Sequence, residues 1–360
     1  MTDAQKKGVI LVPFMSGKGG TERVVQNLFV AMQAASPRTL QMSVLSIGGS
    51  DDYEWAKNLP IQIVKVGKSR TARTLAYMTV LPFIIFSYVR KHELDFVVST
   101  NPIMWYLTKV SCRLLRKRTK VIAWYHYSLE QKPVKKLFLK NADHYLAISS
   151  GIVQQLIKNG ISEKNISLIY NPVQTSERIV ERPDSVITFV YIGRIMLDGQ
   201  KNLRELLKAL EHVSGNWKLE LYGDLQQAEP VKKFAQSLKI SNRLVWHGFV
   251  ADPWSEITEA TSLLLTSKYE GLPMVLCEGI MHGLYLVSAD IDTGPADIIE
   301  PENGVLYESG NVDELGRILQ RIVDGQVLPD STVIKRTAKK FEIETYRQNF
   351  YDAVERSFKK

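Results

Sequence analysis

Short apolar runs that end in glycine-containing turns recur along this chain, and they constrain its fold more than any other feature. Gly8-Val-Ile-Leu-Val-Pro-Phe14 is the first. A run without polar alternation is a strand buried on both faces, which belongs in a parallel sheet covered by helices. Further strands are predicted at residues 44–47, 61–66, 95–99, 120–126, 144–148 and 166–170, and helices are predicted over about 22–35 and 152–159. Asn171-Pro172-Val173 reads as the exit into a linker, after which the pattern restarts at 186–192 and continues at 218–224, 244–249, 261–266 and 285–290. At 360 residues the chain exceeds one ordinary core, so two α/β domains of about 150 to 190 residues are expected. Residues 333–360 read as largely helical, and Tyr346, Phe350, Tyr351 and Phe358 fall at spacings that line one face. That closing helix can return to the first domain.

Charge is divided unevenly between the halves. Residues 1–180 hold 25 Lys and Arg against 11 Asp and Glu, and residues 181–360 hold 21 against 27, giving +14 and −6. The basic half suits an anionic surface or a solvated basic face. Between the third and fourth predicted strands, residues 74–89 carry no charge. As a helix they span about 24 Å, short of a bilayer core of roughly 30 Å, with Pro82 in the middle. A buried crossover helix and a helix dipping into a membrane face both fit, and Arg90-Lys91 beside it suits acidic headgroups. Arg113 to Arg118 and Lys132 to Lys140 supply much of the remaining basic excess, and no nucleic-acid-binding motif accompanies them. Anionic lipid is therefore the expected partner, and nucleic acid is not. Cys112 and Cys277 lie among apolar neighbours and read as buried thiols of a reducing compartment. The apolar run after the polar residues 1–7 is too brief for an export signal.

Several motifs fall where a doubly wound sheet presents its ligand site, at the carboxyl ends of strands. Ser16-Gly-Lys-Gly-Gly-Thr-Glu22 follows the first strand, and its glycines let a backbone pass close to a ligand. It is not a nucleotide-binding P-loop, because Arg23 and Val24 stand where the Lys-Ser/Thr pair would be. His126 ends another predicted strand; an isolated histidine fits a structural role as well as a functional one. In the second half, Gly193-Arg194 and Lys201 can converge on a diphosphate or sit as solvated charge. Residues 242–254 are candidates for a base pocket. Glu270 and Glu278 flank a Gly271-Leu-Pro273 turn that starts a helix running to about His282. Spacing alone also fits two glutamates on a wet surface, and beside an anion site they would grip hydroxyls. Asp290-Ile-Asp292 has a form used for divalent ions, but it trails the glutamate motif and is expected to bind no metal.

In combination, Gly19-Gly20-Thr-Glu22, His126, Gly193-Arg194 with Lys201-Asn-Leu, and Glu270 with Glu278 resemble the family-four retaining glycosyltransferases of the GT-B fold. Tyr125-His-Tyr-Ser-Leu129, Ala142 to Gly151, Gly215-Asn-Trp-Lys-Leu219 and Gly294-Pro-Ala-Asp-Ile-Ile299 look like the lipopolysaccharide-core α-1,6-galactosyltransferase branch of that family. The resemblance implies two Rossmann-like doubly wound domains facing across a cleft. Residues 1–172 would bind the acceptor, 173–340 the nucleotide sugar, and 341–360 would form the helix crossing back to the first domain. The implied activity moves galactose, glucose or N-acetylglucosamine from a UDP-sugar to a glycan or lipid-linked acceptor, without cofactor or metal. His126, Arg194, Lys201 and Glu270 would be catalytic. Gly19, Gly20, Gly193, Gly271, Met274, Val275, Leu276 and Glu278 would join Arg194 and Lys201 in binding the donor. A cytoplasmic enzyme, peripheral at the inner face of the cell membrane, is expected; a degenerate glycan-binding or partner subunit of the same fold is the alternative.

Overall fold

A computed structural model describes residues 5–17, 19–33, 40–67 and 69–359. The chain divides into two compact units, Met1–Val173 together with Ile343–Lys360, and Gln174–Glu342.

The first unit is a seven-stranded parallel sheet. Its strands are β1 (Lys6–Val12), β2 (Leu40–Ile47), β3 (Ile61–Val64), β4 (Phe96–Ser99), β5 (Lys120–Trp124), β6 (His144–Ala147) and β7 (Ile166–Leu168), in the order β3-β2-β1-β4-β5-β6-β7. Ile10 sits centrally, in register with Val44 on one side and Val98 on the other. Val9 to Val12 and all of β4 are buried, as the unbroken apolar runs require. The helix Gly20–Gln33 starts two residues earlier than the sequence predicts; the predicted end at residue 35 lies outside the described residues. Glu22 explains the early start, because its carboxylate accepts from Ser16 Oγ and the Gly17 N–H, each at 2.9 Å, and closes the loop onto the first turn.

The uncharged stretch forms two helices, Arg70–Thr79 and Leu81–Lys91, bent by 58°. Pro82 lies in the first turn of the second, where a missing N–H costs nothing, and the first helix ends before it. The second helix buries Leu81, Ile85 and Val89 at four-residue spacing, whereas the first buries none of its residues. The buried-crossover reading thus holds for the second helix only. Among the described residues no single helix is long and apolar enough to cross a membrane.

The closing helix Ile343–Phe358 packs on Gly20–Gln33 and reaches the sheet, with Phe350 6.3 Å from Trp124. It buries Tyr346, Phe350, Ala353 and Val354, while Tyr351 and Phe358 are only half-buried. A Lys6 Nζ to Glu355 Oε1 pair at 2.5 Å ties its end to β1.

The second unit has six parallel strands, β8 (Ile187–Ile192), β9 (Trp217–Tyr222), β10 (Leu244–Gly248), β11 (Ser262–Leu265), β12 (Tyr285–Asp290) and β13 (Gly304–Glu308). Their order is β10-β9-β8-β11-β12-β13, so the winding reverses between β8 and β11. Crossovers run one way from β8 to β10 and the other way from β11 to β13, which leaves a crevice at the carboxyl ends of the two central strands. Cys112 and Cys277 are both buried and unpaired, and burial pushes both thiols up from their ordinary range.

Candidate active site

The crevice at the β8/β11 reversal brings together three charged side chains, those of Arg194, Lys201 and Glu270. β8 and β11 are hydrogen-bonded neighbours, with Phe189 opposite Ser262 and Val190 opposite Leu263. The loop leaving β8 ends at Asn202, whose left-handed φ of 50° an asparagine tolerates, and the helix Leu203–Glu211 follows. The segment leaving β11 is stitched to that loop. Thr266 Oγ1 donates to the carbonyls of Lys201 (3.1 Å) and Asn202 (3.2 Å), and the Lys268 N–H donates to the Gln200 carbonyl at 2.8 Å.

This stitching brings Lys201 Nζ to 2.7 Å from Glu270 Oε1, with the two side chains 13% and 12% exposed. Gln200 Nε2 donates to the Tyr269 carbonyl at 3.0 Å and to Glu270 Oε2 at 3.4 Å, and its Oε1 accepts from Arg194 Nη2. Arg194, Lys201 and Glu270, widely spaced in the sequence, are therefore joined, and the joining residue is Gln200, which the sequence reading passed over. The Tyr191 hydroxyl donates to the Arg194 carbonyl at 2.7 Å, and burial followed by the Glu270 charge raises its pKa. Thr293 Oγ1 donates to the Glu270 carbonyl, and Gly294 (φ 100°) presses on the turn so closely that a Cβ there would stand 2.6 Å from Pro273 Cδ. Gly193 and Gly271 are half-buried members of these two loops.

Glu278 is anchored separately, on the helix Met274–Met281. Its Oε2 accepts from Trp254 Nε1 at 3.0 Å, and Trp254 stacks on His282 with ring centres 4.5 Å apart and planes at 4°. Trp254 closes the 242–254 stretch singled out as a base-pocket candidate, though nothing in the sequence pairs it with Glu278. At the helix start the N–H groups of Leu276 and Cys277 donate to the Pro273 carbonyl, at 3.0 and 3.4 Å. The Leu276 N–H, expected in the diphosphate cradle, is thus already spent on the first turn; those of Met274 and Val275 have no intrahelical carbonyl to reach.

The remaining candidates belong to the first unit. His126 follows β5, its ring 4.5 Å from Trp124. The residue is half-buried overall, yet Nε2 and the Trp124 Nε1 are buried without a hydrogen-bond partner among the described residues. Burial pushes the imidazole down to about 3, so it is neutral at physiological pH. A Cβ on Gly19 would stand 2.6 Å from Glu22 Oε2, while Gly20 has open space there. Asp290 and Asp292 are exposed, and no group of three or more His, Cys, Asp or Glu among the described residues is placed to hold a metal ion.

Family models described as "Glycosyltransferase Family 4" and "Glycosyl transferases group 1" match residues 18–177 and 173–341. The lipopolysaccharide 1,6-galactosyltransferase of Escherichia coli strain K12 is 30% identical over 358 residues, 94% of each chain. The apo form of the lipopolysaccharide outer core galactosyltransferase WaaB, 30% identical, superposes with a TM-score of 0.86 and covers 97% of this chain and 99% of its own. Anabaena HepE in complex with UDP, 18% identical with a TM-score of 0.76 over 96% of this chain and 99% of its own, shares the fold. With two doubly wound units, charged residues gathered at a strand-order reversal and full-length likeness to galactosyltransferases, the chain is a glycosyltransferase and belongs to the family-four glycosyltransferases of the GT-B fold.

Proposed function

We propose that the chain transfers a hexose from a UDP-sugar to a surface-glycan acceptor with retention of configuration and without a required metal ion. The observation that carries this reading is the Arg194-Gln200-Glu270-Lys201 network at the β8/β11 crevice. An ammonium has three donors, and Glu270 occupies one on Lys201, so two are left for the oxygens of the donor diphosphate. Arg194 adds a two-pronged cation, and the Met274 and Val275 N–H groups add helix-start donors. Together they stabilise the charge that grows on the leaving diphosphate, the task a metal ion performs in other designs. Glu270 is held at both oxygens, which suits a group positioning the hexose hydroxyls better than a nucleophile. The attacking hydroxyl then gives its proton to the leaving diphosphate oxygen on the same face of the sugar, and the new glycosidic bond forms there as the old one breaks. Glu278, oriented by Trp254, takes the ribose hydroxyls. His126, neutral and with Nε2 unpartnered among the described residues, is the first unit's candidate for the sugar near its sixth carbon. Gly19 and Gly20 keep the first-strand loop free of side chains, open to a ligand's close approach. UDP as the donor nucleotide is supported by its presence in the HepE complex, and galactose by the activity of the E. coli relative.

Turnover of a UDP-hexose panel, with and without EDTA and with the product anomer read by NMR, tests this. An α-linked product from an α-donor in EDTA is expected; an inverted product or loss of activity in EDTA overturns retention or metal independence, and no binding of any UDP-hexose overturns the whole reading. Glu278→Ala should weaken UDP-hexose binding by about tenfold or more through loss of charge-assisted hydrogen bonds, measured by calorimetry.

The first unit supplies attachment to the inner face of an anionic membrane. Leu75, Met78 and Phe83 are 64%, 75% and 73% exposed on the bent helix pair, flanked by Arg70, Arg73, Arg90 and Lys91. An apolar outer face with a basic border is what an interfacial helix presents. Replacing Leu75, Met78 and Phe83 together by Ser should reduce co-sedimentation with phosphatidylglycerol vesicles by about tenfold or more; unchanged sedimentation overturns the docking.

A further inference from the structure

A hollow of about 260 Å³ opens on the first unit, and none of the residues given a role above lines it. Its lining includes Asn101, Ile103, Tyr125, Pro133, Lys135 and Phe138. Asn101 follows β4 and Tyr125 follows β5, so the hollow sits at the carboxyl ends of two paired parallel strands, where an open α/β sheet presents its ligands. We propose that this hollow is a subsite for one anionic sugar of the acceptor glycan, with Lys135 holding the anionic group and Tyr125 and Phe138 forming the walls for the ring. The assignment of the sugar to an acceptor rests on the transferase reading.

Three observations carry it. The walls are fixed before any ligand arrives. Tyr125 Oη donates to the Lys132 carbonyl at 3.0 Å, and its ring stands edge-on to Trp105 at 6.2 Å. Trp105 Nε1 in turn donates to the Phe138 carbonyl at 2.7 Å, and the Phe138 ring rests on Tyr106 at 5.2 Å. Rigid aromatic walls remove the ordering cost of binding and offer apolar faces to the C–H side of a sugar.

Lys135 brings to the hollow a charge that no described side chain pairs. Residues 132–140 hold four lysines and no carboxylate, and the Lys135 ammonium has no ion-pair or hydrogen-bond partner among the described residues. The nearest acids in the chain are engaged elsewhere, Glu130 with Lys158 at 3.0 Å and Asp143 with Lys109 at 2.5 Å. An ammonium at the edge of an aromatic hollow, without an internal counter-ion, selects a ligand that brings one.

Size and polarity then narrow the class. The volume lies just below the range of about 300–1,000 Å³ usual for drug-sized ligands, which fits one sugar unit rather than an extended chain. Asn101 spends its Oδ1 on the N–H groups of Ile103 and Met104, at 3.0 and 3.2 Å, which leaves its NH2 to donate to a sugar hydroxyl.

The test uses methyl α-glucoside 6-phosphate as probe, with methyl α-glucoside and inorganic phosphate as controls, and reads dissociation constants by saturation-transfer NMR on the full chain. Wild type is expected to bind the sugar phosphate at least about tenfold more tightly than either control. Lys135→Ala should remove that preference, and Ile103→Trp, a bulky side chain at the exposed rim, should block both glucosides and inorganic phosphate alike. Both variants should retain wild-type UDP affinity. Sugar-phosphate binding unchanged in Lys135→Ala overturns the proposal, as does inorganic phosphate binding as tightly as the sugar phosphate. If Lys135→Ala lowers phosphatidylglycerol vesicle binding by the same factor as sugar-phosphate binding, the lysine belongs to a lipid surface and the subsite is also overturned. A chain that binds the sugar phosphate but no UDP-hexose would leave the hollow standing and refute the transferase chemistry instead.

Discussion

Lys201→Ala is expected to lower kcat by about 10²- to 10³-fold, the usual effect of deleting one preorganised group that faces growing charge in a transition state. Its effect on UDP affinity should be smaller, because the charge on the leaving oxygen grows only as the glycosidic bond breaks. The same change leaves Glu270 a carboxylate 12% exposed without its 2.7 Å partner, and breaking one side of such a pair destabilises the fold. Two losses are thereby mixed, and a second substitution separates them. Lys201→Ala combined with Glu270→Gln removes the orphaned charge, so it should recover most of the stability measured by denaturant unfolding and none of the turnover. If kcat returns together with stability, Lys201 serves the fold only, and Arg194 carries the leaving-group charge. A Lys201→Ala enzyme within about threefold of wild-type kcat would remove the cation from the mechanism altogether.

Whether such a network can be read before the structure is known depends on what kind of contact builds it. The strands were legible because burial on both faces imposes an unbroken apolar run, as in Val9 to Val12. That the winding reverses between β8 and β11 in particular was not, since periodicity marks strands without ordering them. The motif of Glu270 and Glu278 was visible as a spacing, yet spacing did not show that the two are anchored independently, one by Lys201 and Gln200, the other by Trp254. Gln200 lies 70 residues from Glu270 in the chain, and its role comes from the β8–β11 pairing that lays one loop over the other. A glutamine in a loop has no pattern that announces such a role. The break at Val80 had a local cause in Pro82 and was half-read, because proline marks where a helix must begin but not which half is buried. Leu276 shows the limit from the other side. The family resemblance implies that it binds the donor, and the tight turn at Pro273 has already engaged its N–H.

Gly223→Ala should be among the most damaging single changes in the second unit, although residue 223 touches none of the proposed site side chains. A Cβ there would stand 1.9 Å from the Gly193 carbonyl oxygen and 3.1 Å from Ile195 Cδ1. The first obstacle is backbone and cannot rotate away. Gly193 is held in place by its N–H to the Tyr222 carbonyl (2.9 Å), and Gly223 by its N–H to the Gly248 carbonyl (2.8 Å), so the ends of β8, β9 and β10 form one stitched edge. Making room for a methyl means breaking that edge or pushing the Gly193-Arg194 loop away from β9. The expected cost is about 2–4 kcal/mol in denaturant unfolding, in the range of overpacking a tight contact. Because Arg194 rides on the displaced loop, kcat should fall as well, by about tenfold or more for a shift approaching 1 Å. Gly316→Ala provides the matched control. It lies inside the helix Val312–Val323, its Cβ would meet only the Ala209 carbonyl at an ordinary 3.5 Å, and alanine favours a helix interior by roughly 0.5–1 kcal/mol. An unfolding midpoint and kcat unchanged in Gly223→Ala would show that the edge yields without moving Arg194. A loss of both beside an intact Gly316→Ala would show that the proposed leaving-group cation is positioned by backbone packing three strands wide.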